Sequence, residues 1–315
     1  MIILGIKYDG LFQLLRERKI SKTELRRRLG LSSATIAKLA KNEPVSLKVI
    51  EDICKELACQ PGDILHYEPD NSHNNKLLAL LLEEKEMKLK GGLYHTSQIK
   101  FAYNSNHIEG SRLSEEQTRY IYETNTLAVE EDELISVDDI IETVNHFRCF
   151  DYILDHVNDE LSEELIKTCH KILKSNTSDS RKDWFRVGEY KMRPNTVGER
   201  KTTSPAKVKG EMARLLIEYN EKRIITLDDI LDFHYRFESI HPFQDGNGRV
   251  GRLIMFKECL KHNIMPFIIG ERHKLYYYRG LSEYENEKGF LRDTCLSAQD
   301  LYKELVNYFM KENIE

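Results

Sequence analysis

Residues 241–252 read HPFQDGNGRVGR, and the rest of the chain is best read outward from this stretch. Pro242 cannot extend a helix, and Gly246 and Gly248 permit backbone angles that other residues resist. Apolar positions recur at helical spacing before it (Ile230, Leu231, His234, Phe237) and after it (Val250, Leu253, Ile254, Phe256). The spacing predicts helix, tight loop, helix. Successive amides of a glycine-rich loop that closes onto a helix N-terminus form a concavity suited to phosphate. Arg249 and Arg252 are three residues apart, so both can reach one anion from one helix face. Asp245 offers a hard oxygen ligand suited to Mg²⁺, and His241 offers a base that titrates near neutrality. Base, metal ligand, anion cradle and two arginines in one loop describe nucleotide phosphate chemistry.

The remainder of the chain bounds that reading. The 315 residues leave room for about two domains. Formal charge is −5, so bulk charge does not favour polyanions. Residues 1–68 carry 12 Lys+Arg and 9 Asp+Glu, a net of +3, which leaves −8 for the remainder. The six cysteines (54, 59, 149, 169, 259 and 295) form no CxxC pair and read as buried free thiols of a reducing compartment. No apolar run approaches the roughly 20 residues of a membrane span. The apolar Met1–Ile6 is too short for a signal peptide, so a cytoplasmic protein is expected.

Residues 1–68 are expected to form four short helices. Ser21-Lys-Thr-Glu24 is a capping-box sequence, Gly30 a tight turn, and Ser32-Ser33 the start of a third helix. Short helices around a glycine turn, with Arg26, Arg27 and Arg28 nearby, suggest a helix-turn-helix. The segment resembles small Cro/repressor-type DNA-binding domains, in which Ser33, Thr35 and Lys38 would face the major groove. A modest net charge leaves a dimerisation or partner-binding role open, and useful DNA affinity would call for a homodimer. Residues 69–76, polar and non-periodic, are expected to be the linker to a second domain over 77–315.

HPFQDGNGRVGR resembles the signature of the Fic family, with every defining position filled. The resemblance implies a mainly α fold, a helical bundle with one β-hairpin flap, behind a small all-α helix-turn-helix domain. It also implies protein adenylyltransfer, in which AMP passes from ATP, with Mg²⁺, to a Ser, Thr or Tyr hydroxyl of a protein, itself or a partner. By the same resemblance His241 is the base and Asp245 the Mg²⁺ ligand, and Gly246, Asn247 and Gly248 form the anion hole. Arg249 would hold the transferring and β-phosphates and Arg252 the γ-phosphate.

Residues 105–110, SNHIEG, set Ser105 and Glu109 one helical turn apart with Gly110 as the stop. Alone this is an ordinary helix end. Within the family it resembles the inhibitory helix, about 96–110 here, whose Glu109 would pair with Arg252. The flap, about 186–205, would clamp the target segment by strand addition, with Thr196, Val197 and Gly198 at its tip. Tyr277 and Tyr278, in a stretch like the family's Lys-x-x-Tyr-Tyr-x-x-Leu, would line an adenine pocket or else pack in the core. His234, Glu238 and His241 at i, i+4, i+7 admit a rival transition-metal site. Phe243 reads as a core anchor. The same site could instead hydrolyse AMP from a modified protein, the Fic domain could sense nucleotide for a DNA-binding regulator, or the chain could be a restrained toxin.

Overall fold

The computed structural model describes residues 6–67, 72–129, 134–198 and 200–312. The apolar residues 1–5 and residues 69–71 of the expected linker lie outside them. Contacts divide the chain into two units, Met1–His73 and Asn74–Glu315.

The first unit contains α1 (Asp9–Glu17), α2 (Lys22–Leu29), α3 (Ser33–Ala40), α4 (Leu47–Glu56) and the single turn α5 (Pro61–Ile64). Ser21, Ser32 and Ser46 each accept a hydrogen bond from the backbone N–H three residues on, which satisfies one otherwise orphaned donor per helix. The capping box at Ser21 is half made. Glu24 turns away to pair with Arg28 at 2.6 Å, because an arginine one turn on competes for the carboxylate. Gly30 ends α2 at φ 63°, where a Cβ would be strained. Gly10 lets α1 meet α5, since a Cβ there would lie 2.5 Å from the Asp63 carbonyl oxygen. Leu11, Leu15, Leu25, Leu39, Ile53 and Ile64 close the core. The unit is not purely helical: β1 (Ile6–Lys7) pairs antiparallel with β2 (His66–Tyr67). Two residues per strand are too few for a period-two pattern to reveal.

Next along the chain is α6 (Ser72–Met87), which runs across the His73/Asn74 division, so residues 72–76 of the expected linker are instead its first turn. Then come α7 (Leu93–Ile108), α8 (Glu115–Thr124), α9 (Val137–Asp155) and α10 (Glu163–Lys174). The hairpin β3 (Thr196–Val197) and β4 (Arg200–Lys201) precedes α11 (Pro205–Asn220), α12 (Leu227–Ile240) and α13 (Asn247–Lys261). The chain finishes with α14 (Lys274–Ser282) and α15 (Gly289–Glu312). α8 starts on a full Ser114/Gln117 capping box that sequence reading passed over.

α13 is the hub. Every residue from Asn247 to Leu260 is buried, and α7, α9, α10 and α12 all pack against it. A helix buried all round must satisfy its polar groups internally. Lys257 and Glu258 accordingly pair at 2.7 Å, and the Tyr219 hydroxyl donates to Glu258 at 2.9 Å. Gly251 permits the close crossing of α12, because a Cβ there would meet the His234 ring at 2.8 Å. Phe101, Phe150 and Phe256 pack edge-to-face and tilted at 5.3–5.9 Å in the adjoining core. Each such ring, fully buried, contributes about 1.5–3 kcal/mol. All six cysteines are free; Cys149, Cys169, Cys259 and Cys295 are buried, but Cys54 and Cys59 are only half-buried. No helix among the described residues is long and apolar enough to cross a membrane.

Candidate active site

α12 begins on a Thr226/Asp229 capping box and ends because His241 takes the left-handed conformation, φ 52°, ahead of Pro242. That turn lifts His241 off the helix face it would share with His234 and Glu238. His234 Nε2 instead meets the Tyr277 hydroxyl at 2.6 Å, and no cluster of three metal-ligating side chains occurs among the described residues. The loop that follows is braced from within. Asn247 Oδ1 accepts from the Phe243 N–H at 2.8 Å and its Nδ2 donates to the Phe243 carbonyl at 3.0 Å. Phe243 is fully buried and stacks on His170 at 3.9 Å. The Gly188 N–H donates to His170 Nδ1 at 2.9 Å, which leaves Nε2–H to donate to the Asp245 carbonyl at 3.1 Å. Burial pushes this imidazole down to about 3, so it stays a neutral strut. Gly246, at φ 80°, then caps the start of α13, whose first amides have no partner within the helix.

Two arginines leave α13 in different directions. Arg252, 2% exposed, donates from Nε to Ser105 Oγ at 3.0 Å and from Nη2 to the Ser105 carbonyl at 2.9 Å. Its Nη2 also donates to Glu109 Oε1 at 2.6 Å. Burial works against this charge, but Glu109, Tyr277 and Glu238 together more than offset it, and the guanidinium is held protonated. Gly248 makes the room: a Cβ there would lie 2.1 Å from Glu109 Oε1. Arg249 turns to Glu142 on α9, with Asp245 Oδ2 and Asn106 Oδ1 each at 3.4 Å. Arg249, expected to hold the transferring and β-phosphates, thus pairs here with carboxylates, as a buried guanidinium requires.

Asp245 also receives Lys174 Nζ, at 2.6 Å, and Lys174 is held in turn by Glu142 and by Asp179 at 3.1 Å. Burial raises the Asp245 carboxyl, but Arg249 and Lys174 outweigh it and hold it well below the usual carboxylate range. His241 moves the other way for a base. Burial first, and then the ammonium of Lys191, push it down to about 4, against the pull of Glu238, Glu109 and Asp245. Its Nδ1 lies 3.9 Å from Glu238 Oε2.

Glu109, His241, Gly248 and Arg252 line one cavity of about 630 Å³. Val197 and Gly198 contribute the hairpin wall, and Tyr277 and Tyr278 the wall from α14. Thr196 is not part of this lining, and it is a strand residue with Val197, so the turn falls at Gly198, φ 57°, and residue 199 lies outside the described residues. Tyr277 is buried beneath Arg252, with the guanidinium 5.9 Å from its ring centre, and is both core and wall. Tyr278 donates to the Ile108 carbonyl at 3.0 Å, at the end of the helix that carries Glu109. Asp245 and Arg249 sit in the loop and network beside the cavity. Ser33 and Lys38 are exposed on α3 of the first unit, whereas Thr35 is half-buried and bonded through its hydroxyl to the cap residue Ser32 at 2.9 Å. Sequence reading missed Lys174, Glu142, His170 and Lys191, each of which ties to the 240–249 stretch from tens of residues away, a distance that leaves no local pattern.

Comparison with known proteins fits this geometry. A model described as the Fic/DOC family matches residues 160–259, and one for a Cro/C1-type helix-turn-helix DNA-binding domain matches residues 11–70. The chain is 28% identical over 189 residues to the protein adenylyltransferase fic-1 of Caenorhabditis elegans, covering 58% of this chain and 35% of that protein. It is 29% identical over 210 residues to the protein adenylyltransferase Fic of Drosophila erecta, covering 64% and 41%. It thus spans well under half the length of these relatives. The structure of a Fic domain-containing signaling protein from Bacteroides thetaiotaomicron superposes with a TM-score of 0.58 at 27% identity, over 75% of this chain and 88% of that one. A solved form of C. elegans fic-1, at 19% identity and a TM-score of 0.58, shares the fold. The chain therefore carries a Fic domain, matched over residues 160–259, behind a Cro/C1-type helix-turn-helix domain, matched over residues 11–70.

Proposed function

We propose that the second unit is a protein adenylyltransferase, moving AMP from ATP to a Ser, Thr or Tyr hydroxyl of a protein, and that Glu109 holds it in check. The single observation that carries this reading is the shared cavity, in which a neutral His241, the Gly248 end of α13 and an Arg252 already claimed by Glu109 meet. In-line transfer needs a base for the attacking hydroxyl and fixed positive groups for the phosphates. His241, pushed down to about 4, is neutral at physiological pH and accepts the hydroxyl proton. The first amides of α13, at Gly246, Asn247 and Gly248, receive the phosphate oxygens. Arg252 takes the γ-phosphate once Glu109 withdraws, and until then ATP sits without that contact. Tyr277 and Tyr278 flank the base, and Val197 and Gly198 present the edge against which the target segment lies. Arg249 acts at one remove, fixing Asp245.

Asp245 fits a divalent cation: it is a hard carboxylate, held ionised and half exposed beside the cavity. Asp245 would hold Mg²⁺, which would supply positive charge to offset the charge that develops on the leaving pyrophosphate. Lys174 and Arg249 keep the carboxylate deprotonated and aimed.

For the first unit we propose DNA binding through α3, where Ser33 and Lys38 are exposed. The domain division we adopt sets this module, 1–68, ahead of the Fic unit.

The test uses the full chain with Glu109→Gly and ATP labelled at either the α- or the γ-phosphate. Adenylyl transfer predicts protein that retains the α label and none of the γ label. Retained γ label would mean phosphoryl transfer and overturn the assignment.

A further inference from the structure

Lys191, between α10 and the hairpin, is 4% exposed and pairs with no carboxylate among the described residues. Its three ammonium hydrogens face three neutral acceptors: Asn195 Oδ1 at 2.7 Å, Thr202 Oγ1 at 2.6 Å and the Ile240 carbonyl at 3.2 Å. Its backbone N–H donates to the Pro242 carbonyl at 2.8 Å. The deeply buried Lys174 and Lys257 both have acidic partners, as a buried charge normally requires. Lys191 has hydrogen bonds instead, and burial pushes its pKa down to about 8.

The partners it has chosen are informative. Asn195 and Thr202 stand just outside β3 and β4, one at the foot of each leg of the hairpin, and the Thr202 hydroxyl bonds back to the Asn195 carbonyl at 2.9 Å. Asn195 also reaches the Phe243 carbonyl at 3.1 Å. The carbonyls of Ile240 and Pro242 flank His241, the residue in the left-handed conformation. One lysine therefore joins both feet of the hairpin to the chain immediately before and after the base.

Resting on the adenylyltransferase reading, we propose that Lys191 is a positioning residue for the transfer: it fixes the register between the hydroxyl-presenting hairpin and His241, and it sets its ammonium close to the imidazole, against the Ile240 carbonyl. The charged groups facing His241 are Lys191 from the segment before the hairpin, Glu238 from α12, Glu109 from α7 and Asp245 from its own loop. Beside burial, Lys191 is the group among these that disfavours the imidazolium, so its loss should raise the His241 midpoint.

The experiment compares Lys191→Gln, Lys191→Arg and Asn195→Ala in the full-length Glu109→Gly protein. The readouts are the His241 titration followed by NMR, α-label incorporation into the protein itself, and ATP affinity by calorimetry. Lys191→Gln should raise the His241 midpoint by about half a pH unit or more. It should slow labelling at least about tenfold while ATP affinity stays within about twofold. Lys191→Arg should bring the midpoint back. An unmoved midpoint in Lys191→Gln, or a parallel loss of ATP affinity, overturns the proposal. If Lys191→Gln does not fold, Asn195→Ala removes the hairpin side of the clamp without touching the charge. Slower labelling at unchanged ATP affinity then supports the clamp, and unchanged labelling overturns it. The NMR midpoint needs no turnover, so it decides the Lys191–His241 link even if Glu109→Gly takes up no label and the transferase reading falls.

Discussion

At the scale of single residues, the site depends on two glycines for different reasons. Gly246 is needed for its backbone angle, φ 80°, whereas Gly248 is helical and is needed for space, to admit the Glu109 carboxylate. The motif spacing made both legible as glycine positions, but only the fold says what fills the space. His241 shows the same division. Its proposed role as the base rests on the local sequence; its protonation does not, because burial and Lys191 come from elsewhere. A base at about 4 is neutral throughout the physiological range, so transfer by the Glu109→Gly protein should stay flat between about pH 6 and 8. A rate limb with its midpoint near the ordinary histidine value would show that the imidazole is not shielded as described.

At the scale of elements, α13 carries most of the argument. Its apolar period could be read, and so could the loop that starts it, because motif and periodicity are local properties of the chain. What could not be read is that the helix is buried on every side, so that Arg249 and Arg252 turn to carboxylates on other elements while Lys257 and Glu258 pair with each other. Glu142 and Lys174 lie about 100 and 70 residues from the loop they brace, a distance at which no spacing rule operates. Two alanine substitutions separate packing from propensity. Gly251→Ala drives a Cβ into His234 and Glu238, and should cost about 1–3 kcal/mol and slow transfer by pushing α12 away. Gly210→Ala, on the exposed face of α11 with nothing within 4 Å, should stabilise by about 0.5–1 kcal/mol. Urea unfolding of both variants checks the signs, and equal shifts would contradict the assigned crossing of α12 and α13.

At the scale of the molecule, two units with separate cores bring together a helix-turn-helix and a Fic domain. The polar stretch after residue 68 was the division expected from sequence, and contacts divide the chain at His73/Asn74; the two-residue ribbon that closes the first unit was too short to announce itself. If α3 meets DNA, Lys38→Glu should weaken duplex binding at least about tenfold, and binding should fall steeply between 50 and 200 mM salt. Fluorescence anisotropy with a labelled duplex reads both; affinity insensitive to Lys38 and to salt would leave the first unit to a protein partner.

The central claim is that Glu109 restrains a working transferase by occupying Arg252. Its most direct test is the rate of α-label incorporation with Mg²⁺ by wild type, Glu109→Gly and Glu109→Gly/His241→Ala, with melting temperatures measured alongside. Removing the carboxylate leaves Arg252 buried and less satisfied, at a cost of about 1–3 kcal/mol. The account therefore predicts that Glu109→Gly melts lower yet labels at least about tenfold faster than wild type, and that the double variant does not label. Equal labelling by wild type and Glu109→Gly would contradict it.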